Sequence, residues 1–241
     1  QLNLFKNAIE EFDLAIKFNP KNSNVYRKKG LVLFGMKQYN DAKYNFEKSI
    51  NLNPQDTQAH INLGMVHYTS GNKKEALNNW QKAIGLKNDD NDGKALNNIA
   101  NIYKSENNFE KAIEHYKKAI TFEPGNTTFL NNLGDSYRLA GDFEQAENTL
   151  LKSLEINSNG MLTQFNLGVL YKIKGNIPKA IESFQTSLQV NPHYLEAYYQ
   201  MAITHLSVKN KDSAKLSLEK ALQVDPSNQK FRKLYDQVTA S

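Results

Sequence analysis

The sequence contains no cysteine. That excludes disulfides and any thiolate metal site, and it makes a disulfide-stapled secreted domain a poor fit. No apolar run approaches the roughly 20 residues that a bilayer-spanning helix needs. The opening residues, Gln1-Leu2-Asn3-Leu4-Phe5-Lys6, lack the basic start, apolar stretch and small-residue cleavage site of a secretion signal. A cytoplasmic location is the expectation, although missing cysteines do not separate cytoplasm from periplasm. There is no initiating methionine, which reads as an excised or processed piece of a longer chain. Charge of one sign is scarce too. Thirty basic against 25 acidic residues leave +5 over 241 residues, spread along the chain, which is weak support for nucleic-acid binding. Neither base-stacking aromatics interleaved with basic residues nor a known nucleic-acid module is present. No Ser–His–Asp set, glycine-rich phosphate loop or HExxH pattern occurs, so neither catalysis nor a cofactor is expected. With 39% hydrophobic and 23% charged residues the composition is that of a folded chain. Asparagine alone is over-represented, at 31 residues, and reads as a compositional bias of the source.

What is present is self-similarity. The small residues Gly30, Gly64, Ala100, Gly134, Gly168 and Ala202 recur at steps of 34, 36, 34, 34 and 34. Ala8, Ala42, Ala76, Ala112, Ala146, Ala180 and Ala214 keep the same beat. So does a large marker four residues later: Phe12, Phe46, Trp80, Tyr116, Leu150, Phe184 and Leu218. Pro20, Pro54, Pro124, Pro192 and Pro226 close the units. Between markers the apolar residues fall at helical spacing in two runs of about three to four turns. Leu133, Gly134 and Tyr137 share one face of the first run, and Ala112, Tyr116 and Ala119 one face of the second. Small residues such as Gly64 and Ala83 let paired helices approach, while large ones fill the gaps between pairs. Gly71, Gly141 and Gly175 supply the inner turn, with Asn107 as a left-handed substitute and Lys37 at the same place in the first unit. Asn72, Asp142 and Asn176 are the expected N-caps, and Asn72 with Glu75 has the pattern of a capping box.

A 34-residue helix–turn–helix unit with these small, aromatic, alanine and proline markers resembles the tetratricopeptide repeat. The resemblance implies an all-α, right-handed superhelical solenoid. Six full units are expected at 23–56, 57–92, 93–126, 127–160, 161–194 and 195–228, after a half unit at 1–22 and before a capping helix at 229–241. It further implies that the first helix of each unit lines a concave groove through its second, fifth, sixth, ninth and twelfth residues. The sixth position then gives a row of side-chain amides: Asn62, Asn98, Asn132 and Asn166, preceded by Lys28 and followed by Gln200. This row is similar to the asparagine ladder of the O-GlcNAc transferase repeats. An amide offers both donor and acceptor, so such a row can grip an extended backbone. Asn97, Asn101 and Asn131 make the middle polar, and Lys94, Lys104, Arg138 and Lys172 make it basic against Asp135 and Glu196. Apolar groove positions cluster at the ends: Leu31, Phe34, Ile61, Met65 and Tyr68, then Phe165, Val169, Tyr199, Ile203 and Leu206. The carboxylate clamp of chaperone-binding relatives is matched by Arg27, Asn62 and Lys94 but broken by Leu31 and Asn98.

The implied function is a protein-interaction scaffold that holds an extended, preferentially acidic peptide segment of a partner. The alternative is the substrate-recognition region of a larger enzyme such as a glycosyltransferase. His60, His67 and His205 stand where sister units carry Tyr or Leu, so they are expected to pack. Asn88, Asp90, Asp92 and Gly93 match the opening of a calcium loop, but its closing Glu is replaced by Ile99. An acidic, solvated loop is the expectation there, with no metal.

Overall fold

The computed structural model describes residues 2–86 and 90–240, with no side-chain detail for Leu2, Asn3 and Asp90. Among the described residues there are fourteen helices and no strand. The chain divides into two compact units, Gln1–Pro124 and Gly125–Ser241.

In the first unit, α1 (Leu2–Phe18) precedes three antiparallel pairs. These are α2 (Ser23–Gly35) with α3 (Tyr39–Leu52), α4 (Thr57–Thr69) with α5 (Lys73–Ala83), and α6 (Asp90–Ser105) with α7 (Phe109–Phe122). In the second unit the pairs are α8 (Thr127–Ala140) with α9 (Phe143–Ile156), α10 (Met161–Ile173) with α11 (Ile177–Val190), and α12 (Leu195–Ser207) with α13 (Lys211–Val224). The helix α14 (Gln229–Ala240) then packs on α13. The all-α repeat fold expected from the spacing is the one the chain adopts.

Each pair closes on the markers. A Cβ on Gly64 would stand 2.3 Å from Trp80 Nε1, one on Gly168 2.5 Å from Phe184 Cε1, and one on Gly134 2.7 Å from Leu150 Cγ. The small residue of the first helix thus seats the large residue of the second, and Trp80, Phe184 and Leu150 are at most 1% exposed. Trp80 also donates its indole N–H to the Ile61 carbonyl at 3.0 Å, which satisfies its one polar atom in the core. Between pairs, Ile61, Trp80, Ala95, Ile99 and Ile102 form a continuous apolar cluster in the first unit. Ala202, Ala214, Leu218, Ala221, Phe231 and Val238 do the same at the end of the second.

The inner turns carry a left-handed residue in every pair: Lys37 (φ 61°), Gly71 (83°), Asn107 (58°), Gly141 (85°), Gly175 (75°) and Lys209 (59°). Caps form at Asp142, which accepts from the Gln145 N–H, and at Asn176, which accepts from the Lys179 N–H. The expected cap at Asn72 makes no side-chain bond, so the box with Glu75 does not close.

A share of the asparagines has a structural use. Asn19, Asn53, Asn157 and Asn191 each accept a hydrogen bond from the backbone N–H two residues on, in the turn that ends a second helix. Asn108, Asn126 and Asn210 cap helices. At these positions the residue serves a turn or a cap, where a short amide competes best with the helical ladder.

Candidate peptide-binding face

Within each unit the first helices of successive pairs touch: α2 with α4 and α4 with α6, then α8 with α10 and α10 with α12. Among the described residues of each unit, no comparable contact joins the second helices. The side chains that point from one first helix toward the next therefore share a continuous inner face in each unit.

In the second unit that face is a bonded network. Asn166 Nδ2 donates to Asn131 Oδ1 at 3.0 Å, joining α10 to α8. Lys172 Nζ donates to Gln200 Oε1 at 2.6 Å, and Gln200 Nε2 donates to Glu196 Oε1 at 2.9 Å, joining α10 to α12. Glu196 lies 3.9 Å from Lys230 on α14, whose ammonium sits 3.5 Å from the centre of the Tyr199 ring. Arg138, half-buried, donates from both Nε and Nη2 to Asp135 on its own helix, so this cation is charge-paired. Burial pushes the Lys172 ammonium below the ordinary lysine range; Glu196 opposes this and Arg138 adds to it. Beside the amides, Thr127, Thr128, Asn131 and Asn132 of α8 and the 157–163 turn line a cleft of ≈ 250 Å³.

In the first unit the expected residues divide. Lys28 and Lys94 are exposed, and Asn62, Asn98 and Lys104 are half-buried. Asn97 is only 8% exposed. Asn101 accepts the Tyr116 hydroxyl at 2.5 Å and thereby tethers α6 to α7. Arg27 pairs with Asp56 at 3.2 Å and donates to Asn24, so it fixes the starts of α2 and α4. The apolar groove positions need correction: Ile61, Met65 and Tyr68 pack into the Trp80 cluster, Tyr199 and Leu206 into the cluster of α12–α14. Leu31, at 43% exposed, does face solvent.

The histidines pack. His60 is buried with Nε2 3.1 Å from the Pro54 carbonyl, and burial pulls His67 and His205 below the usual imidazole range. The calcium-like stretch also reads differently in three dimensions. Asp92 is 1% exposed and its Oδ2 accepts the Gly85 N–H at 2.9 Å, so this carboxylate holds a turn inside the fold instead of lining a solvated loop. Asn88 lies outside the described residues.

Sequence reasoning missed the Lys172–Gln200–Glu196–Lys230 chain. Periodicity places Lys172, Gln200 and Glu196 on one face, but the Lys172–Gln200 bond spans 28 residues and needs the actual separation of two helices.

Family models for the tetratricopeptide repeat match residues 27–92, 93–126, 127–159, 162–194 and 195–228. The chain belongs to the tetratricopeptide-repeat family. No curated protein sequence matches it. Among solved structures, the APC/C hetero-tetramer Cut9–Hcn1 superposes with a TM-score of 0.80 at 17% identity, over 97% of this chain and 46% of that one. The chain thus spans less than half of that relative. PilF of Pseudomonas aeruginosa gives 0.73 at 18% identity, over 89% and 97% of the two chains. The C-terminal part of a repeat-containing protein from Cytophaga hutchinsonii gives 0.64 at 18%, over 95% and 96%. At these identities the likeness is one of fold. The matched tetratricopeptide repeats mark the chain as a protein-interaction scaffold. No helix among the described residues is long and apolar enough to cross a membrane.

Proposed function

We propose that the inner face of these tetratricopeptide repeats holds an extended segment of a partner protein, gripped along its backbone by side-chain amides. The observation that carries this reading is the bond from Asn166 Nδ2 to Asn131 Oδ1. It orients two amides from neighbouring first helices and leaves the Asn166 oxygen as an acceptor and the two Asn131 amide hydrogens as donors. An extended peptide presents the complementary carbonyl and N–H, whatever its side chains. Asn98 and Asn132 occupy the same position on their own helices. Lys94, exposed one turn before Asn98 on α6, adds positive charge and favours an acidic segment.

The test begins with affinity capture and mass spectrometry to obtain the partner, followed by peptide scanning to find the bound segment. Replacing Asn98, Asn132 and Asn166 together by Ala removes hydrogen bonds worth roughly 0.5–1.5 kcal/mol each. Affinity should then fall roughly ten- to a thousand-fold, with the helical circular dichroism preserved and binding weakened further by salt. Unchanged affinity in the triple variant would move the site off this face.

A further inference from the structure

Lys172 is an unusual cation for a surface helix. It is half-buried on the inner face of α10, and among the described residues no carboxylate pairs with it. Its hydrogen-bond partner is the neutral amide oxygen of Gln200, so two of the three ammonium hydrogens have no protein acceptor. A partly dehydrated ammonium of this kind costs free energy in the free protein unless an anion completes it. Burial and the neighbouring Arg138 both work against its charge, and Glu196 only partly offsets them. Glu196 itself is turned to Gln200 and Lys230. Arg138, held by Asp135 on α8, is the other cation whose charge acts on Lys172.

We propose that Lys172, with Arg138 on the preceding inner helix and Gln200 on the following one, is a seat for one aspartate or glutamate side chain of the bound segment. This rests on the peptide-binding reading above and adds to it a side-chain preference at one position. The fixed amides read the backbone; Lys172 reads a carboxylate. A single carboxylate fits better than a polyanion. Asp135 and Glu196 border the seat, so Arg138, Lys172 and Lys230 leave it only one net positive charge, and a run of phosphates would meet two carboxylates. Gln200 acts as the placeholder: its oxygen holds the ammonium in position, and its nitrogen stays bonded to Glu196 when the incoming carboxylate arrives.

The experiment uses the whole chain with ¹³C-labelled lysine, the Lys172 side-chain signal being assigned by its loss in Lys172→Met. The Lys172 titration is followed by NMR with acetyl-triglutamate amide, acetyl-triglutamine amide, acetyl-triglutamine with a free carboxyl terminus, and a short oligothymidylate. The triglutamate amide should shift the Lys172 titration upward, because a bound carboxylate favours the ammonium form. The triglutamine amide should leave it in place. No response to triglutamate, or a response confined to the free terminus or to the oligonucleotide, overturns the proposal. For the identified partner segment, changing its acidic residue to the amide should weaken binding at least fivefold in the parent and not in Lys172→Met; equal loss in both also overturns it. The two readings fail separately. A Lys172 response that survives Asn131→Ala with Asn166→Ala keeps the seat without the amide grip. Loss of partner binding in the amide variants with Lys172 silent keeps the grip without the seat.

Discussion

Glu147 shows how one side chain ties a second helix to the next first helix. It accepts from the Tyr171 hydroxyl at 3.0 Å and pairs with Lys174. The Lys174 bond holds the Glu147 carboxyl below the usual range, with Tyr171 contributing and burial opposing. Burial, then Glu147, push the Tyr171 hydroxyl up to about 12. The Glu147 contribution is therefore complete above the unfolded glutamate value of about 4.3 and fades as pH falls through the lower folded one. Tyr171 acts at the other end: its stabilisation is intact below its unfolded value of about 10 and is lost as pH climbs toward the folded one. Melting curves across pH check this. Glu147→Gln should melt lower than the parent near neutrality and converge with it in acid. Tyr171→Phe should show a flatter alkaline limb. None of this was legible in the sequence, because the ladder joins residues 24 and 27 apart on different helices. The asparagine row was legible as a row, since position along a repeat is a matter of counting. The Asn166–Asn131 bond was not, nor was the fate of the neighbouring groove asparagines, of which Asn97 is buried and Asn101 serves the Tyr116 hydroxyl.

At the scale of helices, the small-against-large pairing makes a graded prediction. Gly64→Ala would drive a methyl into the rigid indole of Trp80 at 2.3 Å and disturb its bond to Ile61. Gly134→Ala meets Cγ of the buried Leu150 at 2.7 Å, a branched aliphatic side chain with more rotameric freedom than an indole. Overpacking costs roughly 1–3 kcal/mol, while alanine's helical preference returns up to ~1 kcal/mol. Chemical denaturation should therefore show a larger destabilisation for Gly64→Ala than for Gly134→Ala; the reverse order would contradict the packing described. These helix pairs could be read from the sequence because two periods, 3.6 within a helix and about 34 between repeats, agree over the chain. A further recurring position was hidden among small residues. Ser49, Ser153 and Ser187 are buried and donate to the carbonyls of Ser23, Thr127 and Met161, each 26 residues earlier. Ala83, Ala119 and Ala221 fill the same place elsewhere, so size is conserved along the chain while the hydrogen bond is optional.

Within each unit of the molecule, every helix packs on its neighbours in the chain and the first helices also on the next but one, with no contact of comparable extent beyond among the described residues. Stability in such an array behaves as a sum of repeats and interfaces. The last interface is sealed by α14, where Phe231 is 3% and Val238 9% exposed against Ala202, Ala214, Leu218 and Ala221. Phe231→Ala should cost about 3–5 kcal/mol. Hydrogen exchange should locate that loss, with protection falling most in α12 and α13 and least in α8. Uniform loss through the second unit would mean a single cooperative block instead of separable interfaces.

The same neighbour-only packing bears on how the chain is made. A helix pair here waits for no distant segment to complete its core: α3 needs α2 and α4, and α11 needs α10 and α12. At a synthesis rate of roughly 5–20 residues per second, each repeat emerges from the ribosome within a few seconds of the last. Apolar faces such as Phe46 or Trp80 are thus covered soon after they appear, and local contacts of this kind close quickly. Assembly in this protein can proceed in the order of translation, one helix laid upon the previous one.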